Sequence, residues 1–286
     1  MAGASEEMKI TRNILKNGLT VILQENNASP VVAFNMWVKV GSGDERDEES
    51  GIAHVLEHMG FKGTQRRKVG QIAQEVEAAG GDINAFTSFD QTVYHICLAS
   101  RFFDTGLDIM ADAIRNSTFD QSELEKELEV VLEEVRRGED IPSRRLFQAL
   151  FSKAYQTHPY RRPVIGTTET IKSFSRQDIV GFFRKWYVPS NMALIVAGDF
   201  KAKEVLPKIQ AAFEDWSVLA SSEQSRKPEQ SQSGMRIALL KDDVQEAHLN
   251  IAFHISDLKH EDSYALDVLA LIAGQGESSR LYREVK

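Results

Sequence analysis

Apolar residues near the start of the chain follow a strand-like pattern. In ILKNGLTVILQENNASPVVAFNMWVKVGSG (14–43) two runs rich in Val, Ile and Phe surround turn signals, and Asn17-Gly18 suits a tight turn, so the segment predicts strand, turn, strand. The next stretch, EESGIAHVLEHMGFKGT (48–64), begins polar, passes through good helix formers and reaches Gly60 and Gly63, which predicts a helix over 51–59. Helical spacing recurs in VGQIAQEVEAAGG (69–81) and stops at Gly80-Gly81, after which DINAFTSFDQTVYHICLA (82–99) alternates like two strands joined by a turn. RFFDTGLDIMADAIRNS (101–117) reads as an amphipathic helix. DQSELEKELEVVLEEVRRGED (120–140) reads as a long one, opened by Asp120 three residues before Glu123 in a capping-box-like start. A helix in SRQDIVGFFRKWYV (175–188), a buried strand in NMALIVAGDF (191–200) and a closing helix in AKEVLPKIQAAFEDW (202–216) complete an α+β pattern.

Residues 220–234, ASSEQSRKPEQSQSG, lose all periodicity and read as a linker. Beyond it MRIALLKD (235–242) and AHLNIAFHI (247–255) predict strands and SYALDVLALIA (263–273) a helix. The expected organisation is an α+β domain over 1–219, the linker, and the start of a second α+β repeat over 235–286. A unit of about 50 residues is short for an independent core, and Glu284-Val285-Lys286 carries no helix-stop signal, so the sequence is expected to continue in the natural protein.

Composition narrows the chemistry. Hydrophobic residues make up 42% and no apolar run reaches membrane-spanning length, which predicts a soluble protein with no membrane partner. The net charge of -8 argues against nucleic acid. The opening MAGASEEMKI matches neither a secretory signal nor an arginine-rich transit peptide, and the lone Cys97 excludes an internal disulfide; both point to a reducing, cytoplasmic setting. One cysteine also rules out a thiolate zinc cluster, leaving any metal to histidine and carboxylate ligands.

Such ligands occur within 51–59. His54 and His58 stand four apart with Glu57 between them, so a helix presents all three on one face. Two imidazoles at this spacing reach one zinc ion, and a carboxylate beside them can take a proton from the water that the metal activates. HVLEH is the inverted H-x-x-E-H arrangement. The competing reading is an exposed helix with two unrelated histidines. A catalytic zinc needs a third protein ligand, and the long helix offers Glu123, Glu125, Glu127, Glu129, Glu133 and Glu134, most of which must be solvated surface. Glu127 and Glu134 share a face seven residues apart, flanked by Val130 and Val131, and spacing leaves both open.

Together NGLTVIL, SGIAHVLEHMGFKGT, GGDINAFTSFDQTVYH, ELEVVLEEV, HPYRRPVIGT, YVPSNMALIVAGDF and SSRLYREVK resemble, in order and spacing, the insulinase, pitrilysin and mitochondrial processing peptidase family of zinc metallopeptidases. The resemblance implies an α+β fold with a mixed or antiparallel sheet covered by helices and one zinc ion per catalytic domain. It implies His54, His58 and Glu134 as metal ligands, Glu57 as general base, and Glu127 supporting the site from close by, orienting His54 or His58. Asn84, Ala85 and Phe86 fall on the family's substrate-binding edge strand, where an extended peptide pairs as an added strand; by residue type alone Asn84 reads as the start of a turn. Arg280 and Tyr282 look like the family's Arg and Tyr pair, which in relatives falls slightly later, so they are not assigned. The implied function is a zinc-dependent endopeptidase acting on extended peptides, with a second module or partner subunit completing a clamshell. The alternatives are an inactive family member serving as a peptide-binding scaffold or partner subunit, and a structural-zinc interaction domain, for which the cysteines are missing. His95 and His158 read as structural, Cys97 as a small buried hydrophobe.

Overall fold

The computed structural model describes residues 10–216 and 226–285. Six strands, β1 (Ile10–Ile14), β2 (Thr20–Glu25), β3 (Val31–Val38), β4 (Asp82–Thr87), β5 (Thr92–Ala99) and β6 (Met192–Gly198), make one sheet in the order β1-β2-β6-β3-β5-β4. β2 and β6 run parallel and the other four neighbouring pairs antiparallel. The turn at Asn17-Gly18 joins β1 to β2, with Gly18 at positive φ and its N–H donating to the Leu15 carbonyl.

Period-2 alternation decides which way the sheet faces. In β3, Val32, Phe34, Met36 and Val38 are fully buried, while Ala33 and Asn35 between them are half-buried and Trp37 is exposed. The buried face is covered by α1 (Ile52–Met59), α2 (Gln71–Ala78), α3 (Phe103–Asn116), α4 (Gln121–Glu139), α7 (Arg176–Trp186) and α8 (Ala202–Phe213), whose apolar stripes join the strands in one core. Each fully buried Val, Leu or Phe there contributes roughly 1.5–3 kcal/mol. The fold is therefore α+β with a mixed sheet carrying helices, as expected. Cys97 differs from its expected burial: it alternates with buried Ile96 and Leu98 and is half-buried.

Two further helices, α5 (Pro142–Ala154) and α6 (Thr168–Ser173), have no counterpart in the periodicity reading, although Pro142 at the first helical turn of α5 is a usable start signal. The expected strands at 235–242 and 247–255 are absent. Neither segment has a ladder partner among the described residues, and their alternating apolar side chains, Ile237, Leu239, Leu249, Ile251 and Phe253 among them, are exposed. A strand without a neighbour leaves its backbone groups to water, so pattern alone does not make one.

One compact unit runs from Met1 to His248 and a second from Leu249 to Lys286. Of the expected linker, 220–225 lie outside the described residues. The remainder lies against the first unit: the Glu229 carboxylate accepts N–H bonds from Gln156, Thr157 and His158, and the Arg226 guanidinium pairs with Asp44. The second unit holds α9 (Ser263–Gly274) and α10 (Arg280–Val285).

Candidate metal centre

The helix that carries HVLEH is fixed at both ends by contacts that periodicity does not show. Its first residue follows Gly51, at φ +95°, where a Cβ would stand 2.7 Å from the Ile165 carbonyl oxygen. No side chain at the cap position closes the helix start. The buried Glu45 does so from six residues upstream, its two carboxylate oxygens accepting the N–H groups of Gly51 (2.9 Å) and Ala53 (3.0 Å). Burial pushes the Glu45 carboxyl well above its ordinary range, opposed by those two N–H bonds and by Arg162. Arg162 in turn donates to the Glu45 carbonyl (2.6 Å) and pairs with Asp47, and Thr170 donates to the Ser50 carbonyl (2.7 Å). Part of HPYRRPVIGT thus clamps the helix start. At the other end Gly60 lies where a Cβ would meet the Tyr94 ring at 2.4 Å, so α1 seats directly on β5.

Sequence reading missed Glu45 because a cap six residues before the helix matches no capping-box spacing. Removing its carboxylate in Glu45→Ala orphans two N–H groups and is expected to cost about 1–2 kcal/mol of stability, read as a lowered thermal or denaturant midpoint. An unchanged midpoint would show that water replaces the cap at no cost.

α1 buries Ile52, Ala53, Val55, Leu56 and Met59, leaving His54, Glu57 and His58 on its half-buried face. That face meets α4. Asp120 caps α4 by accepting from Ser122 and Glu123 N–H, while the Glu123 side chain pairs with Lys126, so the return half of a capping box is not made. Leu124, Val131 and Val135 bury the stripe that sets Glu127 and Glu134 against α1; Val130, expected to share in this, is exposed.

Geometry separates the two glutamates that spacing left equal. Glu134 Oε2 lies 3.7 Å from His54 Nε2 and its Oε1 3.8 Å from His58 Nε2. Each of the three residues offers a ligand atom, and these atoms lie within 4.8 Å of one another; among the described residues this is the one such group. Glu127 sits behind: its Oε2 is 3.2 Å from His58 Nδ1, the other ring nitrogen, and its Oε1 is 2.6 Å from Lys62 Nζ. Glu127 is 7% exposed, and a carboxylate that buried requires these partners. With Nδ1–H donating to Glu127, the His58 Nε2 lone pair faces Glu134.

His54 Nδ1 is buried and has no hydrogen-bond partner among the described residues. Burial, and secondarily the neighbouring His58, holds the His54 pKa down to about 4, so at neutral pH one of its ring nitrogens keeps an unprotonated lone pair that can bind a metal. Glu57 accepts a hydrogen bond from the Thr87 hydroxyl (2.8 Å), which orients its carboxylate beside the cluster. Burial lifts the Glu57 carboxyl above its ordinary value, with Glu134 adding to the rise and Thr87 and His58 opposing it. A raised carboxyl is the better proton acceptor. Two histidine nitrogens and one carboxylate converging on a partly exposed point, with no fourth side chain among the described residues, match the donor set of an open zinc site.

Asn84, Ala85 and Phe86 lie in β4, an edge strand hydrogen-bonded only to β5 in the sheet, with Phe86 exposed. Asn84 is in mid-strand rather than at a turn, and its Oδ1 accepts the Ala85 N–H (2.8 Å). Thr87 ends the same strand, so the open edge leads to Glu57. His95 lies 3.9 Å from Asp82, and His158 accepts the Tyr160 N–H.

This arrangement, a mixed sheet with an inverted histidine–glutamate helix facing a glutamate helix, has close counterparts. The family model described as "Insulinase (Peptidase family M16)" matches residues 20–168, and that described as "Peptidase M16 inactive domain" matches 173–286. The chain belongs to the insulinase family of zinc metallopeptidases. It is 35% identical to an "Uncharacterized zinc protease" of Rickettsia felis, covering 98% of this chain and 68% of that protein. It is 31% identical to the "Probable mitochondrial-processing peptidase subunit beta, mitochondrial" of Arabidopsis thaliana, covering 95% of this chain and 51% of the other. A crystal structure of a protease from Helicobacter pylori matches with a TM-score of 0.90 at 33% identity, over 97% of this chain and 68% of that one. The chain thus spans 51% to 68% of the length of these relatives.

Proposed function

We propose that this chain is the metal-bearing part of a zinc-dependent endopeptidase that cuts extended peptides. The observation that carries the reading is the convergence of His54 Nε2, His58 Nε2 and the Glu134 carboxylate on one point, with Glu57 held beside it by Thr87. His54, His58 and Glu134 would hold the ion. When bound, zinc lowers the pKa of a coordinated water and polarises a peptide carbonyl. Glu57 takes the proton of the attacking water on its carboxylate and returns it to the leaving amine nitrogen. Glu127 holds the proton on His58 Nδ1 and so keeps Nε2 free for the metal, while Lys62 balances the Glu127 charge. β4 offers its free edge, Asn84 to Phe86, to the substrate backbone; main-chain pairing of this kind favours unfolded peptides over folded proteins. A second module or a partner subunit closes over the bound peptide.

Hydrolysis of a quenched fluorescent peptide library by the natural protein, with and without a chelator, tests the reading. Cleavage that stops on chelation and returns with zinc is expected. A protein that binds zinc and a peptide but cuts nothing is a scaffold instead.

The role given to Glu127 makes its own prediction. Glu127→Ala leaves His58 Nδ1 and Lys62 without their partner and is expected to weaken zinc binding by roughly 10–100-fold in a competition titration with a coloured chelator. Unchanged affinity would remove Glu127 from the site.

A further inference from the structure

The stretch from Arg226 onward reads in sequence as a solvated linker, yet three of its charged side chains are bonded to the body of the first unit. The Glu229 carboxylate accepts the N–H groups of Gln156 (2.9 Å), Thr157 (2.8 Å) and His158 (3.0 Å). Arg236 donates to the carbonyls of Lys153 (3.0 Å) and Ala154 (2.8 Å) at the end of α5. Arg226 reaches deepest. Its Nε and Nη2 donate to Asp44 Oδ1 (2.9 Å) and Oδ2 (3.0 Å), its Nη1 pairs with Asp90, and its guanidinium carbon lies 5.9 Å from the Tyr160 ring centroid. The Asp44 side chain is fully buried and that of Arg226 is 20% exposed. A carboxylate so buried requires a partner, and the rigid fork of a guanidinium suits the bridging of two carboxylates better than the point charge of an ammonium. The approach is close: a Cβ at Gly43 would stand 3.0 Å from Arg226 Cζ.

The two carboxylates belong to the two elements that position the candidate site. Asp44 adjoins Glu45, whose carboxylate closes the start of α1. Asp90 lies in the turn between β4 and β5, three residues after Thr87, whose hydroxyl donates to Glu57. The seam between these elements is backbone to backbone: Ser42 N–H donates to the Ser88 carbonyl (3.1 Å) and Gly43 N–H to the Phe89 carbonyl (2.8 Å). Tyr160, from the loop that clamps the helix start, donates its hydroxyl to both Asp90 oxygens (2.6 and 2.7 Å). Because one guanidinium pairs with both Asp44 and Asp90, its removal leaves two like charges across this seam, one of them buried.

We propose that Arg226 is a positioning residue for the reaction: it ties the start of α1 to the β4–β5 turn and so holds the β4 edge and Thr87 in place against Glu57. The proposal rests on the peptidase reading. Arg226 touches neither the metal cluster nor the β4 edge and acts through the turn that ends in Thr87. Glu229 and Arg236 anchor the segment that delivers it, so the chain leading toward the second unit is coupled to the hairpin beside the metal centre.

The test uses the natural protein carrying Arg226→Gln together with Asp44→Asn, so that no buried carboxylate is left without its cation, and each variant is assayed well below its own unfolding midpoint. Small misplacements of a reacting group are costly, and kcat is expected to fall about tenfold while zinc affinity stays within about twofold. In a Thr87→Val background the same pair of changes is expected to alter kcat less than about twofold, because both act through the orientation of Glu57; a residue that only stabilises the fold shows no such coupling. Amide hydrogen exchange at Gly43 and Ser88 is expected to quicken in the variant, a readout that needs no activity. Wild-type kcat in the variant, or a fall of equal size with and without the Thr87 hydroxyl, would reduce Arg226 to a surface staple and overturn the proposal while the peptidase reading survives. Unchanged exchange would overturn it whatever the protein cuts. If the wild type itself cuts no peptide, the peptidase reading fails and the positioning role fails with it.

Discussion

Glu57→Gln is expected to abolish peptide hydrolysis while leaving zinc binding intact. Glutamine keeps the size of the side chain and an oxygen that can accept the Thr87 hydroxyl hydrogen bond, so the local structure has no reason to move. What it loses is the ability to take a proton. General acid–base catalysis contributes about 10²–10⁴-fold, and a fall of at least about a hundredfold in kcat, with zinc stoichiometry unchanged, is the expected measurement. Glu57 is half-buried with a carboxyl raised by burial, which makes its carboxylate a stronger proton acceptor than a solvated one. Retained activity would mean that the proton passes through another group. Lost zinc would mean that Glu57 supports the metal rather than the chemistry.

Glu134→Ala should instead remove the metal. Loss of a hydrogen-bonded partner behind a ligand costs about 10–100-fold in affinity, so loss of a direct ligand is expected to exceed about a hundredfold. Its side chain is 40% exposed and its oxygens contact the two histidines, so truncation leaves no core void. Zinc added to the wild type raises the unfolding midpoint by mass action, and in the variant that shift is expected to vanish over the same concentration range. Comparison with Glu127→Ala orders the two residues. A larger loss for Glu127 than for Glu134 would exchange the roles assigned from their geometry.

How far the site could be read without the structure differs residue by residue. The pair His54 and His58 with Glu57 was legible because helical periodicity is local: four-residue spacing on a helix bounded by Gly51 and Gly60 puts them on one face whatever surrounds them. The third ligand was narrowed to two. Glu127 and Glu134 share a face, and by spacing they are equivalent; the resemblance to known zinc peptidases, not the pattern, favoured Glu134. Only the packing of α1 on α4 separates them, because it sets one carboxylate against the Nε2 atoms and the other against Nδ1 of His58 and Lys62. Thr87 was invisible for a similar reason. Nothing in a β-strand hydroxyl thirty residues downstream signals a bond to Glu57 until the hairpin of β4 and β5 folds against α1.

The sequence by itself determined the strands and helices whose apolar residues repeat at period 2 or 3.6, the turn at Asn17-Gly18, the helical face bearing HVLEH, and the exclusion of disulfide and thiolate chemistry, since each depends on residue type and near neighbours. Tertiary structure decided the rest. It chose which of two equivalent glutamates faces the histidines, supplied Glu45 and the 158–166 loop as the clamp on the helix start, left Cys97 half-buried, and withheld strands from 235–255. Those outcomes hinge on partners far along the chain, and hydrogen bonds and burial are satisfied between surfaces that only folding brings together.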